Sequence, residues 1–269
     1  MLESVHASFA HSDGFVSEFP AQRVSTPAAM KEERLPFRVR LARSEGDVRK
    51  AVHMRHSAYA RHVPELAEKL LQPEETDYAD GVAVLLAESK LDGSPLGTMR
   101  IQTNRFQPLS LEQSVTLPDW IKGATLAEAT RLGVDQGHAG SLAKAVLFKA
   151  FYLYCLDAGI KWMVITARKP LDRQYENLMF DDLIPGSGYV PMRHVGNIPH
   201  RVMCFEVATA AARWEAAHHP MFAFMTQTVH PDIQVGAASR IESGQAPQAS
   251  PGFRKPARTP SLTGAWQFA

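Results

Sequence analysis

The chain is poor in cysteine, holds no long apolar run and has almost no net charge. Two cysteines, Cys155 and Cys204, stand among its 269 residues, each in apolar surroundings ("YLYCLDA", "RVMCFEV"). Two such thiols make no disulfide framework, and no C-x-x-C pair offers zinc ligands, so both are read as buried free thiols. Lys and Arg number 29 against 28 Asp and Glu, a formal charge of +1, and that balance gives no electrostatic footprint for nucleic acid. No stretch reaches the roughly 18 consecutive apolar residues of a membrane span. The first residues, "MLESVHASFAHSDGF", lack the basic and apolar regions of a signal peptide. His53, His56 and His62 share one predicted helix, yet no histidine falls into a ligand spacing, and no serine sits in G-x-S-x-G. The expectation is a reduced, cytoplasmic chain with no nucleic-acid partner, no transmembrane segment and no metal.

Hydrophobic residues make up 45% of the chain, enough for one sizeable core. Residues 1–34 carry Ser, His, Pro and Ala without periodicity, and residues 236–269 are rich in Gly, Ser, Pro and Arg; both read as disordered tails around one domain over 35–235. The domain opens with an alternating strand at 37–42. Ser44 starts a helix, with Asp47 at the capping-box position. Its apolar stripe runs Val48, Val52, Tyr59 and Val63, and Arg55 falls on that stripe, where it must snorkel or find a carboxylate. The acidic loop "QPEETDYAD" leads to a hairpin, 81–88 and 96–103, turned at Asp92-Gly93. "TLAEATRLGVD" (125–135) is the next strand. Ser141 begins a strongly apolar helix that Gly159 stops. A buried strand at 160–166, a short helix at 169–180, an antiparallel pair ("YVPMRHVG", "PHRVMCFEVA") and a closing helix ("AAARWEAAH") complete the domain. The apolar helix joins two strands as a β-α-β crossover. The class is α/β, a mixed, mostly antiparallel sheet flanked by helices.

The unusual strand is "TLAEATRLGVD", which places Glu128 and Arg131 in an apolar segment. In an extended strand Glu128 and Thr130 share one face and Arg131 takes the other. A bulge, for which Gly133 leaves room, would bring Arg131 round to join them. A buried carboxylate needs a partner or a proton; Arg131, Arg100 and Arg55 are the candidate partners. Glu128 is then either part of an ion-pair network that ties sheet to helix or a general base beside a substrate amine. Burial would raise its pKa and arginines would lower it.

The order of elements resembles the Gcn5-related N-acyltransferase fold, with its splayed central strand. "AEATRLGVD" resembles the E-x-S-R pattern of acyl-homoserine-lactone (autoinducer) synthases, a branch of that fold, with Thr130 where serine is usual. Arg55 and Tyr59 in "MRHSAYARH", Asp77 and Asp80 in "ETDYAD", and Arg100 in "GTMRIQ" resemble that family's remaining motif residues, in the same order. "GNIPHRVMCFEV" and "HPMFAFMTQTVHPDI" are similar instead to a sister group, the long-chain N-acyl amino acid synthases. That resemblance implies transfer of a fatty acyl group from acyl carrier protein to the α-amine of a free amino acid. The alternatives are an acyl-homoserine-lactone synthase using S-adenosylmethionine and a non-catalytic acyl-binding protein of the same fold.

The chemistry so implied assigns roles. Glu128 takes the amine proton, directly or through a water, with Arg131 beside it. Backbone N–H groups at Leu132, Gly133 and Val134 meet the thioester carbonyl. Arg131, Arg100 or Arg55 receives the amino acid carboxylate; Asp77 and Asp80 hold those arginines or the substrate ammonium, or are exposed loop acids. Tyr59 and Thr130 complete the substrate site. The fold's coenzyme A loop, Q/R-x-x-G-x-G/A, reads here "QGHAGS" (136–141): Gln136 matches, but Ala139 and Ser141 depart. A phosphopantetheine arm carries one phosphate, so Gln136, Ser141 and the helix N-terminus would suffice for it. No cofactor is expected, the acyl-phosphopantetheine thioester being a substrate. Lys144 and Lys149 face either the acidic carrier or solvent, the apolar runs "VLFKAFYLY" and "IKWMV" line an acyl tunnel or fill the core, and Tyr175 acts as a general acid or packs.

Overall fold

The structure, a computed structural model, describes residues 30–236. The tails expected at either end lie outside the described residues except at their inner margins. There Lys31–Glu32 (β1) pairs in parallel with Thr228–Val229 (β10), so residues assigned to the first tail include a short strand.

Strand β2 (Phe37–Leu41) buries Phe37 and Val39 and turns its arginines outward. Ser44 then caps α1 (Glu45–Ala60) through the expected capping box with Asp47. Asp47 also takes both terminal nitrogens of Arg40, which pins the helix start to the sheet. The buried stripe of α1 is Val48, Ala51, Val52, Met54, Arg55 and Ala58; the helix ends at Ala60, so Val63 falls beyond it and N-caps α2 (Pro64–Glu68). β3 (Val82–Ser89) and β4 (Pro95–Thr103) form the hairpin, where Ser94 bonds back to Asp92 and Gly93 takes φ +71°. β5 (Leu126–Val134) follows, then α3 (Gly137–Asp157), β6 (Trp162–Ala167) and α4 (Asp172–Asn177). β7 (Asp181–Asp182), β8 (Val190–Met192), β9 (Ile198–Glu206), α5 (Ala210–Ala216) and β11 (Ile233–Gln234) complete the chain.

The main sheet runs β11-β2-β3-β4-β5-β6-β9-β7, with β8 on β9. Only β11/β2 and β5/β6 are parallel. The mixed, mostly antiparallel sheet flanked by helices is the architecture the sequence implied. The edge strand β11 was not anticipated, because two residues carry no periodicity.

α3 starts at Gly137, four residues before the expected Ser141, whose hydroxyl instead bonds back to the Gly137 carbonyl. It ends in a Schellman motif on Gly159: Ile160 N–H reaches Cys155 O, Gly159 N–H reaches Leu156 O, and φ at Gly159 is +63°. By length and mean hydropathy this one described helix could cross a membrane. Here Ala143, Val146, Leu147, Ala150, Phe151 and Cys155 are instead buried against one face of the sheet, with Met99, Ile101, Ala127 and Phe205. Burial on that scale, at about 25 cal/mol per Å² of apolar surface, makes α3 the centre of the core. Lys149 is buried too, its ammonium bonded to the Phe224 and Thr228 carbonyls, so it faces no partner. The opposite face carries α1 and a second core of Leu66, Leu111, Leu126, Val164, Leu183 and Val202.

Gly140 marks how tightly α3 meets β5. A Cβ there would lie 1.8 Å from the Asp135 carbonyl oxygen. Gly140→Ala should therefore cost about 3 kcal/mol or more in urea unfolding. Gly93→Ala, in open space at a positive φ, should cost only about 1 kcal/mol.

Candidate active site

The pairing of β4 with β5 slips by one residue between Thr98↔Gly133 and Arg100↔Thr130. The extra residue is Arg131, at φ +54°. This is the bulge that the charge pattern called for. It turns the Arg131 guanidinium to the face where Arg100 and Thr130 already lie.

Five ionic side chains meet there. Arg55 from α1 forms a two-bond pair with Asp77, both contacts at 3.0 Å. Arg131 forms another with Glu74, at 2.7 and 2.6 Å. Arg100 Nη1 bridges Glu74 at 2.9 Å and Asp77 at 3.2 Å, while its Nε donates to the Thr130 hydroxyl. Arg55, Arg100, Arg131 and Asp77 are all buried. Burial alone would raise the Glu74 carboxyl. The Arg131 bonds, then Arg100 and Arg55, outweigh it and hold the group at about 2. Asp77 is lowered in the same way, its burial outweighed by Arg55. Glu74 went unnoticed in the sequence. Its signal was its spacing: it stands three residues before Asp77, whose carboxylate accepts the Glu74 backbone N–H, as Asp47 serves Ser44.

Glu128 stands apart from that network, contrary to expectation. None of Arg55, Arg100 and Arg131 bonds to it, because Glu74 and Asp77 have taken all three. Glu128 is fully buried; Oε2 accepts the Leu111 N–H at 3.1 Å and Oε1 has no partner. Burial pushes its pKa up to about 7, against the smaller opposing pulls of the Leu111 N–H and Arg100. Of four other buried polar atoms that lack partners, one, Asp172 Oδ1, lies on α4; the rest are Arg55 Nε, Arg131 Nη1 and His194 Nδ1. These three share this face with Glu128, and Arg131 also donates to the His194 carbonyl at 3.0 Å. Unmet buried groups are rare in folded proteins, and four of the five among the described residues collect here. His194 itself is held neutral, its pKa driven to about 3 by burial and then by Arg131.

Beside this buried knot the sheet opens. β5 and β6 pair only as far as Ala129↔Ile165, while β6 stays with β9 to Ala167. Past that point the strands part around a cleft of about 270 Å³. Residues 129–134 of β5 line it, among them the expected Thr130, Arg131, Leu132, Gly133 and Val134. Tyr59, Arg61 and His62 from the end of α1, Thr166 and Arg168 from β6 and its exit, and Tyr175 are also on its wall. Val195, Ile198 and His200 close the far side.

Several expected residues lie elsewhere. Arg55, Asp77, Arg100 and Glu128 sit behind the wall, not on it. Asp80 is exposed and takes no part in the ion cluster. Gln136 and Ser141 are exposed at the start of α3 and do not line the cleft. Nor do the apolar runs of α3 and β6, most of whose residues belong to the core. Arg61, Arg168, His194 and His200 carried no motif that singled them out. Among the described residues no cluster of three or more His, Cys, Asp or Glu is placed to hold a metal.

No protein-family model and no curated protein matches the sequence. Solved structures do match. FeeM, an N-acyl amino acid synthase from uncultured soil microbes, superposes with a TM-score of 0.55 at 18% identity, over 68% of this chain and 96% of FeeM. The fold is that of the Gcn5-related N-acyltransferases. BjaI, a CoA-dependent acyl-homoserine lactone synthase solved with S-adenosylmethionine and isopentyl-CoA, superposes with a TM-score of 0.46 at 14% identity, over 76% of this chain and 99% of BjaI.

The ion cluster makes a stability prediction. The Glu74 carboxyl titrates below its ordinary 4.5, so its contribution is present above pH 4.5 and is lost as the pH falls toward 2. Glu74→Gln should destabilise the fold at pH 7 by about 3 kcal/mol, since three guanidiniums then share one carboxylate. It should also flatten the acid limb of a stability–pH profile measured by urea unfolding.

Proposed function

We propose that this protein transfers a long-chain fatty acyl group from the phosphopantetheine thioester of acyl carrier protein to the α-amine of an amino acid. The observation that carries the reading is a lone buried carboxylate, Glu128, raised to about 7 directly behind a parted strand edge. The shared fold with FeeM, itself an N-acyl amino acid synthase, supports it. Two buried free thiols suit the reducing cytoplasm, where we place the reaction.

The amine must lose a proton before it can attack. A base with a pKa near 7 is matched to that task at neutral pH. Glu128 does not reach the cleft itself. Thr130, two residues along the same face, does, and about 7 Å separates such positions. The proton therefore passes through an intervening water or hydroxyl. The nitrogen attacks the thioester carbonyl, and charge develops on its oxygen. The backbone edge at Leu132, Gly133 and Val134 is freed where β6 departs, and there the N–H groups that face away from β4, those of Leu132 and Val134, can meet that charge. As the C–S bond breaks, the adduct nitrogen sheds its second proton and the departing thiolate gains one. Tyr175 lines the cleft, and its burial raises its pKa, so it stays protonated and can donate.

The direct test incubates purified protein with acyl-loaded carrier protein and a panel of free amino acids, with S-adenosylmethionine in a parallel arm. Mass spectrometry should find an N-acyl amino acid; formation of a lactone alone, or of no acyl product, would refute the proposal. Glu128→Gln separates catalysis from folding. Turnover should fall about 100-fold or more, and the limb of the kcat/KM profile near pH 7 should vanish. Stability should move the other way. The folded pKa of Glu128 lies above its ordinary 4.5, so wild-type stability is lost as the pH rises through 7. The glutamine variant escapes that loss and should be at least as stable as the wild type at pH 8.

A further inference from the structure

The residues that line the cleft include no aspartate or glutamate, but they include Arg61, Lys144 and Arg168. Their contacts set them apart from the other arginines of the site. Arg61 donates to the Val134 carbonyl at 2.6 Å, Lys144 to the Gln174 amide oxygen at 2.8 Å, and Arg168 to the Lys169 carbonyl at 3.3 Å. None of the three meets a carboxylate. Arg55, Arg100 and Arg131 are each bonded to Glu74 or Asp77. Of the three arginines first suited to a substrate carboxylate, Arg55 and Arg100 are off the wall, and Arg131, which is on it, is bound to Glu74. Gln136 and Ser141, first suited to a phosphate, are off it as well. The cations of the wall that meet no carboxylate all lie outside the motifs.

Arg61 touches the end of β5 at Val134, and a Cβ on Gly97 would meet the Val134, Ala143 and Leu147 side chains together, so this end of the sheet lies against the turn of α3 that carries Lys144. Arg168 follows β6. Continuing the register that pairs Ala167 with Arg201 puts it opposite His200, whose Nδ1 is taken by the Ile198 carbonyl at 2.7 Å. A concave site with cations and no anions on its wall selects an anionic ligand. We infer that Arg61 and Lys144 form one oxyanion site, for the phosphate of a phosphopantetheine arm, and that Arg168 beside His200 forms a second, for the carboxylate of the acceptor. This deepens the acyl-transfer reading, on which it rests for the identity of the two ligands.

Titration calorimetry with 4′-phosphopantetheine and with pantetheine, which lacks the phosphate, tests the first site without any turnover. The phosphate should improve affinity about tenfold, as a charged hydrogen bond does. Arg61→Gln with Lys144→Gln should abolish the difference, and Lys144→Arg should keep it. Equal affinity of the wild type for both probes, or a difference that survives the double substitution, would overturn the assignment. The second site is read from binding of an N-acyl amino acid against its methyl ester. The acid should bind about tenfold tighter to the wild type and no tighter to Arg168→Gln. In the acyl-transfer assay Arg168→Gln should raise KM for the amino acid alone; a fall in kcat or a changed donor KM would contradict a role in carboxylate recognition. If the wild type forms no acyl amino acid, the proposed reaction fails. The two binding comparisons still decide whether the cations recognise oxyanions.

Discussion

The bond on which the site depends joins Arg131 to Glu74. A non-glycine residue at φ +54° costs about 1–2 kcal/mol, and nothing local repays it. Two short charged hydrogen bonds to Glu74, with a third to the His194 carbonyl, hold the guanidinium on the face where the bulge delivers it. The bulge has a second effect. It sits two residues past the last pair of β5 with β6, so the twist it adds falls where the two strands separate. One backbone irregularity thus brings Arg131 to the ion cluster and opens the strand edge onto the cleft.

The same cluster sets the state of Glu128 without touching it. Complete burial favours the neutral carboxylic acid, and the Leu111 N–H and the charges of Arg100 and Arg131 favour the anion. Were those arginines bonded to Glu128, the group would resemble Glu74, held near 2 and too weak a base to accept a proton from an amine. Were they absent, burial would keep it protonated well above neutral pH. Because Glu74 and Asp77 absorb most of the positive charge, only a residue of it reaches Glu128, and the carboxyl rests near 7. The two outer carboxylates are therefore part of the tuning of the inner one.

Much of this was legible in the sequence because it was local. The Ser44–Asp47 cap, the Asp92-Gly93 turn and the Gly159 stop each follow from a few adjacent residues with defined backbone needs. The bulge was also legible, since an arginine and a carboxylate two faces apart in a buried strand have few other solutions. Partner choice was not. Glu128 lay close in sequence to Arg131, and proximity suggested a pair. Three-dimensional packing instead delivered Glu74, more than fifty residues earlier, to that arginine. Loop residues such as Glu74 and His194 carry no periodicity, and which of three arginines they reach depends on how the 75–78 turn and the 193–195 turn dock. The start of α3 was misplaced for a related reason: Gly137 and Gly140 look like loop residues, and only the close approach of α3 to Asp135 explains a glycine inside the first turn.

Charge pairing divides the arginines of this site into two populations with different uses. A buried guanidinium bound to a carboxylate is expensive to separate from it, so a substrate carboxylate could recruit Arg55 or Arg100 only by displacing Asp77 or Glu74. That exchange gains little, because one carboxylate replaces another at the same donors. An arginine or lysine bonded to a carbonyl or an amide has no such competitor, and an arriving anion gains a full charge interaction in a site shielded from water. The motif arginines are therefore better suited to shaping the strand and tuning Glu128 than to holding a substrate. Recognition of charge falls to residues such as Arg61, Lys144 and Arg168, which line the same cleft and remain uncommitted.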